Sequence, residues 1–277
     1  MKSKVLVLGG SGMLGHVLLN KLEKSSDFLV NNLVFKNKAN EKSIVCDVTN
    51  ITDLENILFK LKPDFIINCI GLLKDASNND FSKAIYLNSF LPQWLLSYCN
   101  SNEIRLIHVS TDCVFNGNDG NYHEESKPNA NDNYGKSKLL GEYNSHNHLC
   151  IRTSIIGPEL KNNGAGLFCW FFKQKGEVNG FSKSIWGGVT TLVLSEAIIT
   201  SIKKDYTGLV HLTNGKPISK FDLLSLIKDN FDLNNIKLLK VPGKNINRSL
   251  ITNFNYFSVP DYDQMIKDLK KYYLENY

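Results

Sequence analysis

Val5-Leu6-Val7-Leu8-Gly9-Gly10-Ser11-Gly12-Met13-Leu14-Gly15 runs from four consecutive apolar residues into a glycine-spaced turn and on toward an amphipathic helix. Four apolar residues without polar alternation fit a strand buried on both faces. Gly9 permits a tight turn, Gly12 lets backbone approach a pyrophosphate, and Gly15 lets the helix pack close on the strand. The helix N-terminus offers unpaired N–H groups and a partial positive charge, which suit a phosphate. A plain strand-to-helix turn would use one or two of the same glycines, so position adds the weight: the segment opens a series of βαβ units. Ser11, Met13 and Leu14 complete the loop expected to line a dinucleotide.

Working outward, short apolar runs alternate with longer amphipathic ones. Strands are predicted at Lys4–Leu8, Val30–Phe35, Ser43–Cys46, Phe65–Ile70, Arg105–Ser110 and Leu149–Arg152, and helices at Met13–Lys24, Thr52–Lys62, Phe81–Asn100 and Tyr134–Ser145. Pro63 fits a helix end and Pro92 a kink or an early helical turn. After Arg152 the pattern loosens into stretches such as Pro158–Gly166, then recovers with a helix near Leu192–Lys203 and a strand at Leu209–Leu212. The expected fold is α/β, a Rossmann-type doubly wound parallel sheet with a smaller C-terminal substrate-binding lobe. Residues 1–155 form the dinucleotide-binding part and 156–277 mainly the lobe, with the chain returning to the large sheet around 187–213.

Composition sets limits on function. With 277 residues, 42% of them hydrophobic and 21% charged, the chain can bury a sizeable core. The net charge of +5 is spread in pairs such as Lys203-Lys204 and Lys270-Lys271. That fits a solvated surface rather than a nucleic-acid groove. The six cysteines contain no C-x-x-C pair and several sit in apolar runs, as reduced thiols would. Val5–Leu8 is too short for a signal-peptide core and no segment approaches a membrane span, so a cytoplasmic protein without a membrane partner is expected. Metal-ligand spacing is absent, and no catalytic metal is expected.

The choice of dinucleotide turns on the end of the second strand, where a carboxylate would hold the ribose 2′-hydroxyl of NAD and repel a 2′-phosphate. This chain has Val34-Phe35-Lys36-Asn37-Lys38 there. Lys36 or Lys38 could pair with a 2′-phosphate, which favours NADPH and leaves NADH open; two solvated lysines are the plainer alternative. Asp47, followed by Val48, could meet the adenine edge or cap a helix starting near Thr49.

Tyr134-Gly135-Lys136-Ser137-Lys138 opens a helix, and residues four apart share a face, so Tyr134 and Lys138 can point into one site. A phenol is a poor acid at neutral pH, and a neighbouring ammonium would lower its pKa and suit it to protonate a carbonyl oxygen. Such a pair is common on surface helices. It gains meaning from Leu106-Ile107-His108-Val109-Ser110-Thr111-Asp112, an apolar strand ending in two hydroxyls and a carboxylate at the sheet edge where such folds bind ligands. Thr111 could polarise a carbonyl, whereas Asp112 fits a turn as well as a reaction.

These segments resemble the extended short-chain dehydrogenase/reductases, and within them the dTDP-4-dehydrorhamnose reductase group. The likeness is carried by Gly9–Gly15, Ala84–Pro92 with a structural Asn, Ser110–Gly117, Tyr134–Glu142 and Arg152-Thr153-Ser154. It implies a Thr111-Tyr134-Lys138 triad, with Tyr134 giving the proton and Lys138 also holding the nicotinamide ribose. It places Asn68 and Gly71 along the cofactor, with Cys69 departing from the small residues more usual there. Val114, Phe115 and Asp112 fall on the substrate side. Gly187–Thr191 resembles the stretch returning to the active site, and Arg248 a basic element of the sugar-nucleotide pocket, where a diphosphate clamp and an isolated surface arginine both remain open. Ile155 stands where rhamnose-forming reductases usually carry Trp, which leaves the sugar open.

The implied activity is reduction of the 4-keto group of a nucleotide-activated deoxysugar. Alternatives are an epimerase or dehydratase of the same fold, or a non-catalytic relative such as the regulatory β subunit of methionine adenosyltransferase. A homodimer is left open.

Overall fold

The computed structural model describes residues 2–160, 164 and 166–277, so part of the irregular 158–166 stretch lies outside the described residues. The first half holds β1 (Ser3–Leu8), α1 (Gly15–Glu23), β2 (Phe28–Val34), β3 (Ser43–Val45), α2 (Ile51–Leu61), β4 (Phe65–Asn68), α3 (Lys74–Asn79) and α4 (Phe81–Ile85). It continues with α5 (Leu91–Ser101), β5 (Arg105–Val109), α6 (Asn133–Leu140) and β6 (Leu149–Arg152). The second half adds β7 (Ile155–Ile156), α7 (Leu167–Phe172), β8 (Gly176–Phe181), β9 (Ser184–Trp186), β10 (Val189–Thr190) and α8 (Thr191–Lys204). After these come β11 (Gly208–His211), β12 (Ile218–Ser219), α9 (Lys220–Asn230), β13 (Ile236–Val241), β14 (Ile246–Asn247) and α10 (Tyr262–Asn276).

Seven parallel strands form the main sheet in the order β11-β6-β5-β4-β1-β2-β3. The order 3-2-1-4-5-6 within it is that of the doubly wound dinucleotide folds. The unbroken apolar run of β1 explains its central place. Val5 and Val7 pack with α1 and α8 on one face, while Leu6 and Leu8 pack with α2 and α5 on the other. All four are essentially unexposed, each contributing on the order of 1.5–3 kcal/mol of burial.

The six expected strands of the first half are present, each within two residues at either end. Two helices differ. The helix over Phe81–Asn100 is interrupted by a π turn at Tyr86–Phe90, just before Pro92, which cannot donate a backbone hydrogen bond. The helix predicted over Tyr134–Ser145 ends at Leu140 with Gly141 as its C-cap, packed so closely on the π turn that a Cβ there would be 2.0 Å from the Asn88 carbonyl oxygen. In the second half β11 joins the large sheet beside β6, and β10 pairs with β7. The remaining strands make small sheets, β13 with β8 and β12-β9-β14. Among the described residues no helix is long and apolar enough to cross a membrane.

Candidate active site

The sheet order reverses between β1 and β4, and the chain leaves both strands at the same edge. Gly9 takes φ +84°, and the Gly9 and Gly10 amides both donate to the Leu33 carbonyl at 2.9 and 3.0 Å, pinning the turn to β2. A Cβ on Gly15 would lie 2.1 Å from the Gly9 oxygen, so only glycine lets α1 start this close. A Cβ on Gly12 would meet only the Gly9 oxygen, at 3.2 Å, so little protein lies over that position. Leu14 begins α1 with no side chain capping its N–H groups. An open glycine turn and an uncapped helix N-terminus fit a pyrophosphate.

At the end of β2, exposed Phe35 lies under two ammonium groups, with Lys36 Nζ 5.0 Å and Lys83 Nζ 5.8 Å from its ring centre. Lys83, on α4, escaped the sequence reading because only the fold brings it beside Lys36. Lys38 is exposed on the same loop. Asp47 accepts from the Thr49 amide at 3.0 Å and its hydroxyl at 2.8 Å, which hold the carboxyl below its usual range. It does not cap the next helix: Asn50 caps α2, accepting from the Asp53 amide, because a cap must directly precede the first turn. Val48 is buried in the core beside α2.

The loop after β4 departs from expectation at Asn68. Its side chain is fully buried and committed to the Ile70 amide and His108, so it shapes the loop from beneath rather than facing a ligand. Cys69 sits half-buried, its thiol pushed up to about 12 by burial, and Gly71 is exposed. The structural Asn is Asn88. It accepts from the Leu72 amide at 2.8 Å and donates to the Leu72 carbonyl and to Ser137 Oγ, both at 3.0 Å, tying this loop to α6.

α6 begins under Asp132, whose carboxylate accepts from the Gly135 amide at 2.8 Å. Gly135 presses on the turn that follows β5: a Cβ there would lie 2.1 Å from the Cys113 carbonyl oxygen and 2.7 Å from Ala130 Cβ. The approach brings Tyr134 against Thr111, Asp112 and Cys113. Thr111 Oγ donates to Asp112 at 3.2 Å and accepts from the Cys113 amide at 3.1 Å. Burial, with Cys113, Asp112 and Asp132 nearby, pushes the Tyr134 phenol up, partly offset by the Thr111 hydroxyl. The lysine-lowered phenol expected from the sequence is therefore absent. Lys138 Nζ turns toward the strands, donating to the Val109 carbonyl at 2.7 Å beside His108 Nε2 at 3.3 Å, and burial pushes it down to about 8.

The substrate side needs a further correction. Val114 and Phe115 are wholly buried, Phe115 stacking on Tyr122 at 4.1 Å, because the turn after Thr111 points them into a small separate core. They form a platform, not a ligand surface. Asp112 is also buried, its carboxyl raised by burial against the pull of Arg248. Arg248 is not an isolated surface arginine. It donates to the Phe115 carbonyl at 2.8 Å and lies 3.6 Å from Cys113 Sγ and 3.9 Å from Asp132, which also binds Lys74 at 2.9 Å. Behind α6, Glu142 holds Arg152 at 2.6 Å, both nearly unexposed, and accepts from Ser110 at 2.5 Å. Among the described residues no cluster could hold a metal ion.

A parallel sheet in this order, a glycine turn after its first strand and a Tyr-x-x-x-Lys helix facing the fifth together define the extended short-chain dehydrogenase/reductase class. Residues 3–250 match the RmlD substrate binding domain, and the chain belongs to that family. A probable low-salt glycan biosynthesis reductase of Haloferax volcanii is 33% identical over 144 residues, half of this chain and 47% of that protein. The dTDP-4-dehydrorhamnose reductase of Aggregatibacter actinomycetemcomitans is 27% identical over 241 residues, covering 82% of this chain and 79% of its own. The Bacillus anthracis dTDP-4-dehydrorhamnose reductase, solved in complex with NADP, shares the fold with a TM-score of 0.85 at 21% identity, over 98% of this chain and all of that one.

Proposed function

We propose that this chain uses NADPH to reduce the 4-keto group of a nucleotide-activated deoxysugar. The observation that carries the reading is the meeting of Thr111 and Tyr134 at the sheet edge, with Lys138 one turn along α6 and the open Gly9–Gly15 turn on the neighbouring strand. The relatives named for dTDP-4-dehydrorhamnose reduction support the substrate class. Lys36 with Lys83, and the lack of a carboxylate after Val34, support NADPH over NADH. In this reading residues 1–155 hold the dinucleotide and 156–277 mainly the sugar nucleotide.

When bound, the nicotinamide supplies the hydride. The chain does the rest. Ser11, Gly12, Met13 and Leu14 would offer backbone to the pyrophosphate, and Cys69 with Gly71 would hold the cofactor on the β4 side. The Tyr134 hydroxyl gives its proton to the carbonyl oxygen as negative charge develops there, and the Thr111 hydroxyl donates to the same oxygen. A phenol held protonated is a competent donor once an oxyanion forms beside it. Arg248 and Lys74, sharing Asp132 beside Tyr134's helix, would supply cationic groups to a diphosphate.

The test is oxidation of NADPH by the purified chain with a panel of 4-keto nucleotide sugars, followed by single-turnover hydride transfer in Tyr134→Phe. Loss of the acid should slow transfer roughly a hundred- to ten-thousand-fold while NADPH still binds. A rate per folded molecule equal to wild type would remove the mechanism.

A further inference from the structure

His16 stands on the first turn of α1, just behind the glycine turn, and is buried. Its backbone amide donates to the Gly12 carbonyl at 3.2 Å, as helical spacing requires. The side chain turns back to the same oxygen, with ring Nδ1 2.7 Å from it. The other ring nitrogen, Nε2, meets the hydroxyl of Tyr277, which follows α10.

The protons on this line can be counted. A carbonyl oxygen only accepts, so Nδ1 carries a proton. Burial holds the ring below the usual histidine range, against the opposing pull of the Gly12 bond and of Glu159, so the ring is neutral at pH 7. Nε2 is then bare and accepts, and the Tyr277 hydroxyl donates. Burial, with Tyr272, Cys169 and Tyr273 nearby, pushes that phenol up, so it keeps the proton it gives. The line has one direction: Tyr277 O–H to His16 Nε2, then His16 Nδ1–H to the Gly12 oxygen.

Tyr277 is itself held from the second half of the chain. Its ring stacks on Tyr273 at 5.1 Å, and Tyr273 packs edge-on against Phe231, at the end of α9, and Phe168 of α7. Beside it, Asn276 Oδ1 accepts from Asn20 Nδ2 of α1 at 3.1 Å. An aromatic column thus runs from α7 and α9 through α10 and ends, by way of His16, on the Gly12 carbonyl.

That carbonyl belongs to the same planar unit as the Met13 N–H, so fixing one end fixes the other. Hydrogen bonds accepted by the carbonyl also polarise the N–H and make it a stronger donor. Met13 lies in the loop whose amides suit a pyrophosphate. We propose that Tyr277 and His16 are positioning residues for the dinucleotide turn: Tyr277 locks the ring, and the ring holds the Gly12–Met13 peptide with its N–H set for a pyrophosphate. The end of α10 so serves the cofactor half of the molecule. The place of the ring proton stands apart from any ligand, whereas the gain in cofactor binding rests on the reductase reading.

Tyr277→Phe keeps the ring that stacks on Tyr273 and deletes only the hydroxyl. NADPH titrated into the full chain should bind about two- to tenfold more weakly in the variant, which is what one internal hydrogen bond is worth. Adenosine 2′-phosphate, which carries no pyrophosphate, should bind the two proteins alike. Equal NADPH constants overturn the proposal, and so does an equal loss for adenosine 2′-phosphate, which would report a general loosening of α1. Long-range 1H–15N NMR with labelled histidine reads the ring directly at pH 7, with His16 assigned by the signals missing in His16→Gln. A neutral ring protonated on Nδ1 is expected; a proton on Nε2, or a charged ring, overturns the proposal. A wild-type chain that binds no dinucleotide overturns the reductase reading and this role with it, whereas dinucleotide binding indifferent to Tyr277→Phe overturns this role alone.

Discussion

Replacing Gly135 by alanine adds one methyl group at the point where α6 meets the Thr111 turn. The new Cβ would lie 2.1 Å from the Cys113 carbonyl oxygen, and ordinary contact begins near 3.4 Å, so 3.4 − 2.1 = 1.3 Å of separation must be found. Neither neighbour yields cheaply. The carbonyl is main chain, and the second contact, Ala130 Cβ at 2.7 Å, has no rotamer to change. α6 must therefore lift from the turn by about an ångström, carrying Tyr134 away from Thr111. Overpacking of this kind costs about 1–3 kcal/mol, or some 2–12 °C in melting temperature for a chain of this size. A displacement near 1 Å at the reacting groups costs on the order of a hundredfold in rate. Single-turnover hydride transfer at saturating NADPH, with the melting temperature taken on the same sample, measures both effects. Full transfer rate in folded Gly135→Ala would refute the claim that this contact aligns Tyr134 with Thr111.

Other perturbations separate cofactor, core and charge. Gly12→Val should abolish NADPH binding in titration while the chain stays folded, since a side chain there meets little protein but occupies the space offered to a pyrophosphate. Arg152→Met leaves Glu142 buried without its cation and should cost about 3–5 kcal/mol in denaturant unfolding, whereas Arg152→Met with Glu142→Leu should recover much of the loss. Lys138 is pushed down to about 8 by burial, while an unfolded lysine titrates near 10.4, so between those values the unfolded chain binds more protons and Lys138 adds stability as pH rises. Lys138→Met should lack that gain, and its stability difference from wild type should change by a few kcal/mol from pH 7 to 10; parallel profiles would contradict a desolvated lysine. Lys83→Ala should narrow the preference for NADPH over NADH several-fold in paired titrations if Lys83 shares the 2′-phosphate with Lys36.

What could be read from the sequence follows the range of the forces involved. β1 and its turn were legible because they are local: four apolar residues need two covered faces, and glycine spacing marks where backbone comes close. The triad could be proposed from an i, i+4 spacing and a strand that ends in hydroxyls. Missed features depend on distant partners. The π turn at Tyr86–Phe90 precedes Pro92, and it packs closely on Gly141 where α6 ends, a meeting of segments some fifty residues apart. The resemblance places Val114 and Phe115 on the substrate side, yet the 3-10 turn at Asp112–Val114 rotates them into a core completed by Tyr122 and Leu250. β8 and β13 lack a long period, because short strands of a small sheet bury only part of each face, whereas α10 does carry helical spacing in Tyr262, Met265, Ile266, Leu269 and Tyr272 that the sequence reading passed over.

The same distinction explains why the Tyr134 phenol is raised where the spacing predicts a lowered one. A spacing of four places two side chains on one helical face but does not say which way a long, flexible lysine turns. Here the choice is made by β5. Its Val109 carbonyl and His108 ring give Lys138 polar contacts inside the sheet edge that the Tyr134 ring cannot match, and burial removes the water that would otherwise keep the amine near the surface. Tyr134 is then left among Cys113, Asp112 and Asp132, groups that favour its neutral form. One histidine in an apolar strand, Leu106-Ile107-His108-Val109, was the visible trace of this arrangement: a buried imidazole needs partners on both nitrogens, and Asn68 and Lys138 are the residues the parallel register and α6 bring within reach.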